Sequence, residues 1–129
     1  MADAKVSGTI TVGDAGAPSV TQPVDITVSN VGSSGKIFKK YLAAPTNDVI
    51  LAAGANELIP ATKFVKFLRL KFMDAAGALV LATVRLNAIS LPPCTELIFT
   101  VNAGTSNITN VDITSTTANL VVEGIYASD

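Results

Sequence analysis

Apolar and polar residues alternate with a period of two along much of this chain. The alternation is clearest over residues 6–12, where valine and isoleucine fall on one face of an extended chain and serine and threonine on the other. Residues 24–28 repeat the pattern, which is typical of a half-buried strand. Segments rich in glycine and proline, such as residues 13–18, interrupt it and supply the backbone angles of turns. The pattern therefore predicts strands joined by turns.

Ten such strands follow one another at intervals of about ten residues, the spacing of an all-β sandwich or barrel. They cover residues 6–12, 24–28, 36–42, 49–51, 62–72, 79–86, 89–91, 97–101, 111–113 and 120–126. We therefore predict an all-β fold: a single-domain antiparallel β-sandwich, jelly-roll or immunoglobulin-like, with about nine or ten short strands. The domain spans residues 1–129, with residues 1–5 as a candidate flexible N-terminal arm.

The alternation slips phase within residues 62–72. Val65 and Phe67 fall on one parity, whereas Leu68 and the apolar residues after it fall on the other. A β-bulge near Phe67 and Leu68 would restore a common apolar face. The glycine-containing segment 74–78 then predicts a hairpin loop, with residues 79–86 as the strand that pairs with residues 62–72.

The composition fits one domain with a partly covered surface. Of 129 residues, 49% are hydrophobic and only 15% are charged, which is below the usual quarter. A surface with so few charges indicates contact with neighbours in an oligomer or a larger assembly. No segment has the apolar core of a signal peptide or the length needed to span a bilayer, so we expect a soluble protein without a membrane partner.

The residues of common catalytic sites are scarce. The chain has no histidine and one cysteine, which excludes Ser-His and Cys-His pairs and most zinc sites. Cys94 is interpreted as a small buried or turn residue, and the segment from Gly32 to Lys36 as a turn rather than a phosphate loop. The carboxylates lie near predicted strand ends. We therefore predict no enzyme activity, no catalytic residues, no cofactor and no metal site.

Positive charge is concentrated in the middle of the chain. The net charge is +5 over residues 36–85, −2 over the first 35 residues and −4 over the last 44. The candidate partner-binding residues are Lys36, Lys39, Lys40, Lys63, Lys66, Arg69, Lys71 and Arg85. Three interpretations remain open: a sheet face with its cations in solvent, a basic face that docks on an acidic protein, or a platform for single-stranded nucleic acid.

The C-terminal stretch carries a resemblance to a known class of proteins. It reads VRLN at 84–87, LPPCTELIF at 91–99, ITN at 108–110 and ANLVVEG at 118–124. Over residues 81–129 this resembles the small virion proteins of tailed bacteriophages, although Cys94 stands where glycine is expected. The resemblance implies a compact β-sandwich that decorates a capsid, cements its capsomers or lies in the neck or tail, and it implies no particular functional residues.

The expected function is therefore that of a capsid decoration or cement protein, which binds at capsomer junctions and stabilises the phage head. Its partner would be the major capsid protein or another virion protein, and its location the virion, assembled in the host cytoplasm. We expect a homo-oligomer, with a trimer favoured, and no nucleic-acid partner. The alternatives are a neck, tail or fibre protein and a ligand-binding β-module for carbohydrate or single-stranded nucleic acid. The partner surface is predicted at residues 63–85, with residues 36–40 beside it.

Overall fold

The described part of the chain consists of β-strands and their connections. The computed structural model describes residues 2–14, 16–31, 36–42, 46–52, 64–101 and 106–128. The strands are β1 Ala2–Asp14, β2 Ala17–Val31, β3 Lys36–Leu42, β4 Thr46–Ala52, β5 Val65–Met73, β6 Thr83–Leu86, β7 Ile89–Ser90, β8 Glu96–Thr100, β9 Asn110–Ser115 and β10 Leu120–Ser128. The predicted all-β class is confirmed. Of the predicted turn from Gly32 to Lys36, residues 32–35 lie outside the described residues and Lys36 begins β3.

Eight of these strands form two antiparallel sheets. Sheet A has the order β3-β10-β5-β8, and sheet B has the order β4-β9-β6-β7. The first of the eight strands therefore pairs with the last, the second with the second to last, and so on inwards to the β6-β7 hairpin. This is the strand order of a jelly roll, and it differs from the order of an immunoglobulin domain.

The core lies between the two sheets. Alternate residues of the central strands point inwards, as the period of two requires. The largest fully buried side chains of the core are Tyr126, Phe72, Ile50, Leu68, Leu70, Ile113 and Leu120. They come from both sheets, so each sheet covers the apolar face of the other.

A β-bulge at Lys66 divides β5 into two phases. Ala127 lies opposite Phe67 and Ser128 lies opposite Val65, which leaves Lys66 as the extra residue. The predicted bulge is thus found one residue earlier than expected. The expectation that Val65 and Phe67 share a face with Leu68 is wrong for Phe67, which belongs to a second apolar cluster on the outer side of sheet A.

The loop after β5 has the predicted hairpin form, but the predicted hairpin does not continue beyond it. Asp74 Oδ1 accepts hydrogen bonds of 2.9 Å from the amides of Ala76 and Ala78, and Gly77 adopts φ +90°. Met73 then pairs with Leu79 in a single bridge. The chain crosses to sheet B because β10 and β8 already occupy both edges of β5.

Asn87 ties the β6-β7 turn to the segment that precedes β9. Asn87 and Ala88 have φ values of 49° and 68°. Glycine and asparagine suit this region better than alanine does. The side-chain amide of Asn87 donates to Asn107 O at 2.6 Å, and its oxygen accepts from the amides of Thr109 and Asn110 at 3.0 Å each. One side chain thereby holds two connections of sheet B together.

Strands β1 and β2 pair only with each other in the described part of the chain and form a two-stranded ribbon, here called the arm. The predicted turn after β1 is confirmed, and Gly16 in it has φ +80°, which a glycine adopts without strain. Both strands are longer than predicted. Residues 2–5 belong to the N-terminal segment 1–5 that was predicted to be flexible, and they lie in β1. Their flexibility remains a prediction.

Candidate interaction surfaces

The basic residues predicted to contact a partner are divided among different surfaces. Lys39, Arg69 and Lys71 lie on the outer face of sheet A. Arg85 lies on the outer face of sheet B. Lys66 is buried beneath the arm. Lys36 and Lys40 belong to β3, and Lys63 lies outside the described residues. The structure therefore gathers three of the eight on one face, and their partner-binding role remains a prediction.

The cations of sheet A alternate with carboxylates across the strands. In register, Lys39 lies opposite Glu123, Glu123 opposite Lys71, and Lys71 opposite Glu96. Lys39 Nζ is 3.3 Å from Glu123 Oε1, and Arg69 Nη2 is 3.8 Å from Glu96 Oε1. Opposite charges on facing residues stabilise neighbouring strands modestly. Three cations and two carboxylates leave this face with a net charge of +1.

Arg85 has a carboxylate partner on sheet B. Arg85 and Asp112 face each other on β6 and β9, with Nε 3.6 Å from Oδ1. Both side chains are more buried than the pairs on sheet A. The contact therefore helps to hold two neighbouring strands of the sandwich together.

Lys66 connects the arm to the sandwich. Its side chain is buried, with 7% exposed, and its Nζ donates a hydrogen bond of 2.9 Å to Ser29 O on β2. The bulge gives Lys66 this position, because the extra residue is released from the strict alternation of β5. Its ammonium group is thus used within the chain.

The arm has one apolar and one polar face. Cross-strand partners on one face are Val6 with Ile26, Gly8 with Val24, Ile10 with Gln22 and Val12 with Val20. On the other face, Lys5 lies opposite Thr27, Ser7 opposite Asp25 and Thr11 opposite Thr21. In this register the even-numbered residues of both strands share one face, so the apolar side chains form a stripe that only Gly8 and Gln22 interrupt.

The two halves of that stripe have different environments. Near the sandwich, Val28 and Val31 are buried against Phe67 and Ala127. Toward the turn, the side chain of Ile10 is 53% exposed and that of Val20 is 60% exposed. Branched apolar side chains are thus exposed along the half of the face that is distant from the sandwich.

The sequence carries a signal for this surface, but the pattern predicts only half-buried strands and not what covers them. The even-numbered apolar residues of 6–12 and 24–28, separated by a glycine-rich turn, match the register that the structure shows. Periodicity identifies an apolar face, but it does not identify what covers that face. The sequence therefore predicts the partner surface in the basic segment and does not predict the exposed face of the arm.

Two isoleucines are exposed on the outer face of sheet A. Ile125 and Ile98 lie on either side of Arg69 in the cross-strand register, and they are 39% and 50% exposed. They occupy the row next to Phe67 and Ala127, which the base of the arm covers. The apolar surface beneath the arm thus continues past it.

A shallow groove of about 230 Å³ opens where β6 begins and β9 ends, beside Leu81 and Pro93. Threonine and serine hydroxyls complete its lining, and no ionisable side chain contributes to it. Cys94 lies nearby, paired by its backbone with Ala82 and packed against the core. Its side chain is partly buried, and burial raises the pKa of its thiol.

Among the described residues, no three histidine, cysteine or acidic side chains come together as a metal site. The same residues include no helix of the length and apolarity needed to cross a membrane. No protein-family model, curated protein or solved structure matches this chain.

Proposed function

We propose that this chain is a structural protein of a tailed-bacteriophage virion, which decorates the capsid and cements neighbouring capsomers. The observation that carries the proposal is the arm, whose apolar face continues beyond the sandwich with Ile10 and Val20 exposed. A two-stranded ribbon is marginally stable in water by itself. An arm of this kind is therefore well suited to an assembly in which neighbouring proteins cover it.

The body of the molecule supports the same proposal. Each sheet buries the other's apolar face, and the described cations of sheet A alternate with carboxylates. Such a sandwich acts as a rigid carrier for contact surfaces. A protein bound at the junctions between capsomers stabilises the shell by mass action, because it binds the assembled form and not the separated subunits. The major capsid protein or another virion protein is the proposed partner.

The test is to locate the chain in purified virions and to measure the stability that it confers. We expect electron-microscopy maps of intact particles to show many copies at capsomer junctions. Particles that lack the chain should release DNA at a lower temperature, and addition of the purified chain should restore the resistance. An unrelated β-sandwich protein of similar size serves as the control.

Two outcomes would contradict the proposal. One is that the chain is absent from purified particles. The other is that particles without it resist heat and low salt as well as complete particles do. A position in the neck or tail would retain the structural class and reject the cementing role.

A further inference from the structure

The apolar face of the arm is a single surface with two environments. At its base, Val6 and Ile26 pack against the cluster of Val28, Phe67 and Ala127. Toward the turn, Ile10 and Val20 lie on the same face of the ribbon but are exposed. Since the register runs unbroken between the two halves, the exposed half continues the apolar face of the buried half, with Gln22 as a polar residue opposite Ile10.

The surface that covers the base of the arm is also larger than the base itself. Phe67 and Ala127 form one cross-strand row of sheet A, and the next row places Ile125 and Ile98 on either side of Arg69. The two rows are about 7 Å apart, because residues on one face of a strand are separated by two positions. Each molecule thus offers one row occupied by its own arm and an adjoining row that is exposed.

Charge favours a second sandwich over a second arm as the occupant. The first 35 residues, which include the arm, carry a net charge of −2, whereas the outer face of sheet A carries a net charge of +1. Two arms packed through their apolar faces would bring together two ribbons that each carry a net negative charge. An arm placed on the outer face of sheet A approaches Arg69, Lys71 and Lys39, which outnumber the two carboxylates there.

We infer that the exposed half of the arm binds a second copy of this chain, on the outer face of sheet A over Ile98 and Ile125. On the second copy, this contact lies next to Phe67 and Ala127, which the base of that copy's own arm covers. It joins two different surfaces, so repetition of the contact leads to a closed ring or an open chain of copies. The inference deepens the proposed function and rests on it for its biological setting.

The first test measures self-association of the purified chain by sedimentation velocity. We expect a dissociation constant of about 1 mM or tighter for the unmodified protein. The variant I10D/V20D places two carboxylates on the apolar face and should weaken association roughly tenfold or more. The control T9D/T21D has the same change in charge at equivalent positions on the polar face and should associate like the unmodified protein.

The second test addresses the receiving surface. The variant I98D/I125D should lose association, whereas L81D/I89D, which alters two exposed residues outside the proposed contact, should retain it. Near-ultraviolet circular dichroism checks that every variant is folded. An equimolar mixture of I10D/V20D and I98D/I125D should recover association into pairs, because one component supplies an intact sheet face and the other an intact arm.

Three results would overturn the inference. The unmodified chain could remain monomeric up to about 1 mM. T9D/T21D could dissociate as readily as I10D/V20D, which would make charge rather than the apolar face responsible. I98D/I125D could associate normally, which would point to contact between arms. Each result is obtained without virions, so the presence of the chain on the capsid is tested separately.

Discussion

The arm and the sandwich have the same alternation of apolar and polar residues but different means of burying the apolar face. In the sandwich, two sheets of four strands each cover the inner face of the other, so Phe72 and Tyr126 are removed from water. In the arm, a ribbon of two long strands reaches sheet A only near its base, and Ile10 and Val20 remain exposed. A period of two therefore shows that a face is apolar, while strand order determines whether the chain itself covers it.

The largest expected difference between the two regions is in the effect of removing an apolar side chain. Phe72→Ala should lower the free energy of unfolding by about 3–5 kcal/mol, because it leaves a cavity between the sheets. Val20→Ala, at an exposed position of the arm, should change it by less than about 0.5 kcal/mol. Urea unfolding of dilute protein measures both values. Equal effects would show that the arm is covered even in the isolated molecule.

The junction between the two regions depends on Lys66. Lys66→Met keeps most of the buried aliphatic side chain but removes the hydrogen-bond donor to Ser29 O. A hydrogen bond from a charged group contributes about 1.5–3 kcal/mol to the free energy of unfolding. We expect hydrogen exchange to accelerate over residues 26–31 and to stay slow in β10. The control, Lys71→Met, alters the outer face of sheet A and should leave exchange in the arm unchanged. If Lys66→Met instead accelerates exchange in both regions equally, the arm and the sandwich unfold as one unit.

Glycine substitutions in the β6-β7 turn should act in opposite directions within the sandwich. Asn87→Gly removes four hydrogen bonds to residues 107–110 and should cost about 1–2 kcal/mol. Ala88 has a φ of 68°, a conformation that is strained for alanine but not for glycine. Ala88→Gly should therefore stabilise the fold by about 1 kcal/mol. Thermal unfolding measures both changes. Destabilisation by Ala88→Gly would contradict the assigned turn geometry.

The smallest expected effect is a loss of stability at alkaline pH, confined to the sandwich. Burial raises the pKa values of Cys94 and Tyr126 above their ordinary values. The unfolded chain therefore releases these protons first, from about pH 8.5 for the thiol and about pH 10 for the phenol. The free energy of unfolding should fall as the pH rises through each interval, up to the folded pKa.

Urea unfolding at several pH values, with Cys94→Ala and Tyr126→Phe, checks this dependence. Each variant should remove its own part of the alkaline loss. The hydrogen-exchange rates of the arm amides, after correction for the intrinsic effect of pH on exchange, should not follow the pH dependence of the free energy of unfolding. A loss that persists in both variants would assign it to other groups.

Much of the fold could be predicted from local patterns, because the period of two and the glycine-rich turns are properties of neighbouring residues. The all-β class and the approximate bulge in β5 are confirmed on that basis. The prediction that residues 79–86 pair with β5 is wrong beyond Leu79, because β10 and β8 occupy the two edges of that strand. Such competition between distant segments does not appear in the local sequence.

The candidate surfaces could be predicted less well for the same reason. Lys39 and Lys71 face Glu123 because β10 lies between β3 and β5. The sequence places that glutamate more than 50 residues from Lys71 and more than 80 from Lys39. The burial of Lys66 depends on the arm that folds over it. A stretch of basic residues in the sequence thus became three separate environments in the fold.

The central position of β10 has a consequence for synthesis of the protein. Among the described strands, β10 comes after all the others in chain order, yet it pairs with both β3 and β5. Sheet A therefore remains divided while the ribosome makes everything that precedes Leu120. Until β10 is made, the strand edges of β3 and β5 that pair with it remain unpaired in the nascent chain. Unpaired strand edges are prone to aggregation. The arm pairs only within residues 2–31, so its hairpin is free to form long before the sandwich closes.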